Sequence, residues 1–132
     1  MSFDLSSLND GRKRQEDGVE VEIIHPGTKQ PTGMKITVAC YESERVMAEA
    51  RRIGNAKRQK MAKGRGLDPV EVDEDRIIAL AVAATVSWSG IEEKGDPLPC
   101  KPEIVSRVYR EYPFILEQVQ EAGSDRALFF GN

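Results

Sequence analysis

The spacing of apolar residues changes along this chain, and each change predicts a different element. Val19-Glu20-Val21-Glu22-Ile23 alternates apolar with charged positions, the period of a strand with one face buried. Met34, Ile36 and Val38 repeat that period over Met34 to Cys40. Between the two runs lie His25-Pro26-Gly27-Thr28 and Gln30-Pro31-Thr32-Gly33, which are turn chemistry, so the pattern predicts a β-hairpin with a long connection. A lone hairpin is marginal in water, which requires this one to pack on helices or on another subunit.

From Ser43 onward the period lengthens. Ser43 stands as an N-cap before a helix over about Glu44 to Lys63, with Val46, Ala50 and Ile53 at i, i+4 and i+7. Past Ile53 the apolar face fades into Lys57, Arg58, Lys60, Lys63 and Arg65, and Gly64 and Gly66 stop the helix. Part of this basic end is plain helix physics, since cations are favoured at the C-terminal end of the helix dipole. Leu67 to Val72 reads as a linker around Pro69, after which Asp73, Glu74 and Asp75 suit a helix N-terminus. The run Ile77 to Val86 leaves almost no polar face. It predicts a central buried helix over 73–88, with Ala residues that let neighbouring helices come close.

That helix is expected to end at Trp88, with Gly90 as its stop and Gly95-Asp96-Pro97-Leu98-Pro99 as a short loop. Trp88, Gly90, Pro97 and Pro99 therefore read as a packed corner, the Trp closing the core against one of the prolines. Pro102 opens a third helix with Ile104, Val105, Val108, Tyr109 and Tyr112 inside. Phe114 to about Ala122 forms a fourth, with Ile115, Leu116 and Val119 inside and Gly123 at its end. Leu128, Phe129 and Phe130 make an apolar tail that needs a home on this core or on a partner. Residues 1–18 are polar apart from Phe3, Leu5 and Leu8, and are expected to be a flexible, irregular arm with at most one helical turn. The expected fold is mainly α within the α+β class. It has a four-helix core centred on 73–88 and an N-terminal β-hairpin against it, in one domain spanning 19–132.

Composition narrows the function classes. A chain of 132 residues fits one domain by size. Its formal net charge of -3 argues against generic nucleic-acid binding. No apolar run reaches the roughly 18 residues of a membrane span, and polar residues stand where a secretory signal would place its apolar core. Cys40 and Cys100 are far apart in sequence, and His25 is the only histidine, so no zinc set is expected and both thiols read as reduced.

Each residue with chemical potential has a plainer reading. His25 at a strand end has no second histidine or cysteine beside it to make a base or a ligand set. Glu71, Asp73, Glu74 and Asp75 lack the spacing of a calcium loop and complement a helix dipole instead. Cys100 beside Lys101 has no histidine base, and no glycine-rich segment carries the Lys-Ser/Thr of a phosphate loop. The basic segment Arg45 to Arg65 is dense enough to meet phosphates, but it has no interleaved aromatics and no helix-turn-helix pattern. No catalytic, metal or cofactor site is expected.

The layout resembles the small tail assembly chaperones encoded in the tail-gene regions of long-tailed bacteriophages. The resemblance lies in His25-Pro26-Gly27-Thr28-Lys29-Gln30-Pro31-Thr32-Gly33, similar to a D-P-x-T-G-x-P-T-G turn, followed by Met34-Lys35-Ile36-Thr37-Val38. It continues in the charged helix through Arg51 and Arg52, the Trp88-Ser89-Gly90-Ile91 corner with Gly95-Asp96-Pro97-Leu98-Pro99, and the segment Pro113 to Val119 with a terminal Phe. It spans about residues 18–130. His25 stands where an Asp is more usual, Lys29 replaces a Gly or Glu-like turn residue, and Glu103-Ile104 stands where an acidic-amide pair often follows the loop.

This resemblance implies a non-enzymatic factor in the host cytoplasm. Such a factor binds the long helical tape measure protein, keeps it soluble and brings tail tube subunits to it. Neither membrane nor nucleic acid is an expected partner, and a homo-oligomer is compatible. The surfaces expected to bind are the Val46, Ala50 and Ile53 face, the basic residues Arg51, Arg52 and Arg58, and the tail Leu128, Phe129 and Phe130. The alternative is a structural virion component of the tail or neck, such as a connector or tube-associated protein. A third reading is a nucleic-acid-binding regulator acting through Arg51 to Arg65.

Overall fold

Three segments with β-branched or aromatic residues at alternate positions pair into one antiparallel sheet. They are β1 (Val19–Ile24), β2 (Pro31–Val38) and β3 (Thr85–Ser89), in the spatial order β1-β2-β3. The computed structural model describes residues 1–64 and 69–131, with backbone alone at 69–72. In the central strand, Ile36 lies opposite Val21 on one side and Trp88 on the other. A bulge between Glu22 and Ile24 turns the end of β1, and another offsets β3 next to Val38. Ile23, Ile36 and Val38 are fully buried on the inner face.

The helix expected over 73–88 is corrected at both ends. Helix α3 spans Pro69–Ala84, so it begins within the expected linker, where a proline in the first turn forfeits no hydrogen bond. Arg65, Gly66, Leu67 and Asp68 lie outside the described residues. At the other end the alanines stop at Ala84, and Thr85-Val86-Ser87-Trp88-Ser89 leaves the helix to become β3. From Val86 to Ser89 the residues alternate inward and outward, the segment is rich in strand-formers, and the open edge of β2 supplies its hydrogen-bond partners.

The N-terminal segment also differs from an irregular arm. Asp4 caps a 3₁₀ turn at Leu5–Leu8 by accepting from the Ser6 N–H at 2.9 Å, and α1 follows over Asn9–Asp17. Helix α2 covers Glu44–Ala62. Ser43 occupies its N-cap position, yet the Ser43 hydroxyl is buried without a partner among the described residues. Glu16 of α1 caps the helix instead, its carboxylate accepting from the Glu44 N–H at 3.0 Å. A carboxylate suits that end of the dipole.

Helices α4 (Pro102–Glu111) and α5 (Pro113–Ser124) follow a small hairpin, β4 (Glu92–Glu93) with β5 (Asp96–Pro97). Its two-residue link, Lys94-Gly95, has φ of +53° and +85°, the pattern of a type I′ turn. A last short helix, α6 (Arg126–Phe130), lies on α1.

The core lies where the sheet meets the helices. Ile36 and Val38 pack with Ala81 and Ala84 of α3, Val105 and Tyr109 of α4, and Val119 of α5. One polar chain crosses it. The Thr85 hydroxyl donates to the Ala81 carbonyl at 2.8 Å, which leaves its oxygen to accept from the Tyr109 hydroxyl at 2.5 Å. Among the described residues no helix is long and apolar enough to cross a membrane.

Candidate partner-binding site

Helices α2 and α4 both pack against α3, leaving an open groove of about 570 Å³ among the three. Ile78, Ala79, Val82 and Ala83 of α3 form its floor and Val105 of α4 one wall. A smaller hollow of about 210 Å³ continues it beside Ile53 and Ala56 of α2, and Asp75 and Ala79 line both. The small floor residues follow from the alanine content of α3: short side chains cannot fill the space between three helices. The Arg45 guanidinium reaches from α2 to the floor, donating from Nε to the Ala83 carbonyl at 2.7 Å. At the rim, Arg52 donates to both Glu49 oxygens at 3.0 and 3.1 Å, and Arg110 pairs with Asp75 at 3.2 Å. Hydrogen bonding to Arg52 holds the Glu49 carboxyl below its ordinary range.

The expected binding residues do not form one surface. Val46 is 2% exposed and belongs to the core, so it is corrected from docking face to packing residue. Ala50 and Ile53 are half-buried, and only Ile53 lines the groove. Among the basic residues, Arg52 stands on the rim, Arg51 pairs with Glu44, and Arg58 bonds Asn55. The tail is corrected as well. Phe129 is fully buried, Leu128 and Phe130 are half-buried, and the Phe130 ring rests against the bare backbone of Gly11 in α1. Arg14 of α1 donates to the Phe129 carbonyl at 2.6 Å. The tail's home is therefore α1, and none of its residues lines the groove among the described residues.

The corner residues take other roles than a helix end. Trp88 sits half-buried on β3 and donates from its indole N–H to the Leu98 carbonyl at 2.9 Å. Leu98, between the exposed Pro97 and Pro99, is the residue that packs against the core. Gly90 has φ +72° and lies against the Gly33 carbonyl, where any side chain would collide.

Groups with chemical potential are accounted for locally. The His25 Nδ1 accepts from the Gly27 and Thr28 N–H groups at 3.0 and 3.1 Å and so organises the β1–β2 loop. Cys100 lines the groove's edge, and burial pushes its thiol up despite the Arg45 charge and the Trp88 N–H. Asp73, Glu74 and Asp75 are exposed, and the described residues contain no group of three His, Cys, Asp or Glu placed to hold a metal ion.

Sequence reasoning missed the α3 and α4 contributions, Ala79, Val82, Ala83 and Arg110. The available signal was the density of alanine on a helix with almost no polar face, which leaves a seam as readily as it fills one. No family model, curated protein or solved structure matches this chain.

Proposed function

We propose that this chain is a non-enzymatic tail assembly chaperone of a long-tailed bacteriophage. In this reading it acts in the host cytoplasm, holds the helical tape measure protein in solution and helps recruit tail tube subunits. The groove over Ile78, Ala79, Val82 and Ala83 carries the proposal, because it is apolar, open and walled by helices. An open groove with an apolar floor between helices suits the apolar face of an amphipathic helix, which satisfies its own backbone hydrogen bonds. The resemblance at residues 25–38 and 88–99 supports the same reading. In finer architectural terms, the β1–β2 hairpin and the helices α2 to α5 would be the framework shared with that group.

The alternative is a structural component of the tail or neck. It draws on Phe3 and Leu5, which are 69% and 74% exposed at the N-terminus and would pack against a neighbouring subunit. Mass spectrometry of purified particles, beside a pull-down from infected cells, separates the two. The chaperone reading expects recovery of the tape measure protein and absence from particles. A fixed copy number in particles would establish the structural role instead.

A further inference from the structure

We infer that the α2–α3–α4 groove selects an acidic amphipathic helix. This rests on reading the groove as a helix-binding site, and it adds the chemistry of the occupant. Among the described residues lining the groove and its extension, the cations are Arg45, Arg52, Lys57, Lys60, Arg76 and Arg110, against the carboxylates Glu49 and Asp75. Six less two leaves four positive charges around an apolar floor, in a chain whose formal net charge is -3. The charge is thus concentrated at the groove against the sign of the whole molecule.

The two carboxylates already face Arg52 and Arg110, so their charge is balanced before any partner arrives. Lys57 and Lys60 are exposed on α2 beside Ile53 and Ala56, where the apolar floor meets the rim. From Arg45 to Lys60 the wall of α2 is about 22 Å long at the helical rise, roughly four turns of a partner helix. Ala79 and Ala83 let that helix approach closely, and Asp or Glu beside its apolar stripe would then reach the rim cations. A nucleic acid would meet the same cations but would find no aromatic side chain in the lining on which to stack a base.

The test uses the full-length protein and three labelled helical peptides of about five turns. They share one apolar stripe and differ only in its flanking residues, which are Glu, Gln or Lys. Binding is read by fluorescence anisotropy at low and high salt, and the site by chemical-shift mapping. The Glu peptide should bind about tenfold tighter than the Lys peptide, shift the α3 floor residues, and lose most of its advantage at high salt. Reversing the exposed pair, Lys57→Glu with Lys60→Glu, should remove the preference while leaving the fold intact by circular dichroism. Equal binding of the Glu and Lys peptides would overturn the inference, as would a preference unchanged in the reversed variant. Tighter binding of an oligonucleotide than of the Glu peptide would also overturn it. Capture of tape measure protein without charge preference would sink this inference alone. Groove binding of the Glu peptide without that capture would sink the chaperone reading alone.

Discussion

Tyr41 shows how one side chain can hold two elements together at a local cost. Its ring covers Gly123 of α5, its N–H donates to the Gly123 carbonyl at 2.8 Å, and its hydroxyl is buried with no partner among the described residues. Burial pushes the phenol from its ordinary 10.0 up to about 12. The unfolded chain ionises near pH 10, so the shift leaves stability unchanged below pH 10 and lowers it by about 2–3 kcal/mol as the pH rises towards 12. Tyr41→Phe keeps the ring and removes the orphan hydroxyl. It should raise stability by about 1 kcal/mol in urea unfolding and reduce the loss between pH 10 and 12. Destabilisation at neutral pH would mean that the hydroxyl has a partner after all. At the same scale, Glu42 is held below its ordinary 4.5, chiefly by hydrogen bonds from Arg126 at 2.7 and 2.9 Å. A depressed carboxyl stabilises above its unfolded value and ceases to do so as the pH falls through the folded one. Glu42→Gln should therefore cost about 0.2–1 kcal/mol at pH 7, since the pair is exposed, and the gap to wild type should close as the pH falls below the ordinary 4.5.

Among the elements, the terminal helices α1 and α6 are the clearest departure from a free arm and a free tail. They pair with each other, and α1 also supplies the Glu16 cap of α2 and a backbone acceptor, the Gln15 carbonyl, for the Cys40 N–H at 2.9 Å. Phe129→Ala should cost about 3–5 kcal/mol in chemical unfolding, as expected for a fully buried aromatic. A free docking tail would show almost no change. These contacts were illegible in sequence because α1 is polar along its length, and Gly11, where Phe130 docks, offers no hydrophobic signal. Strand β1 was legible because one face is buried and Val19, Val21 and Ile23 keep strict alternation. Strand β3 was not, because Thr85 and Val86 continue an apolar run that also fits a buried helix. Period alone cannot arbitrate such a run. The free edge of β1 was equally hidden. Gln118 of α5 covers its last residue by accepting from the Ile24 N–H at 2.8 Å and donating to the Ile24 carbonyl at 2.9 Å, a pairing across 94 positions.

For the whole molecule, the apolar faces named from sequence turned inward: Val46 into the core, and Phe129 against α1. Among the described residues the α2–α3–α4 seam stays open, and Arg52 and Ile53 are the expected binding residues that lie on it. The reason is physical. A helical period reports that a face is apolar but not whether a neighbour covers it, and small side chains on α3 decide where cover is incomplete. The seam is proposed to hold a helical tail protein in solution. The most direct measurement is the soluble fraction of the proposed tape measure partner, co-expressed with wild type or with Ala79→Arg or Ala56→Arg. These two blocks enter from the α3 floor and from α2, and circular dichroism would confirm that both variants fold. Wild type should keep the partner soluble, and both blocked variants should lose most of that effect. Equal solubility with the blocked variants, or none with wild type, would contradict the account.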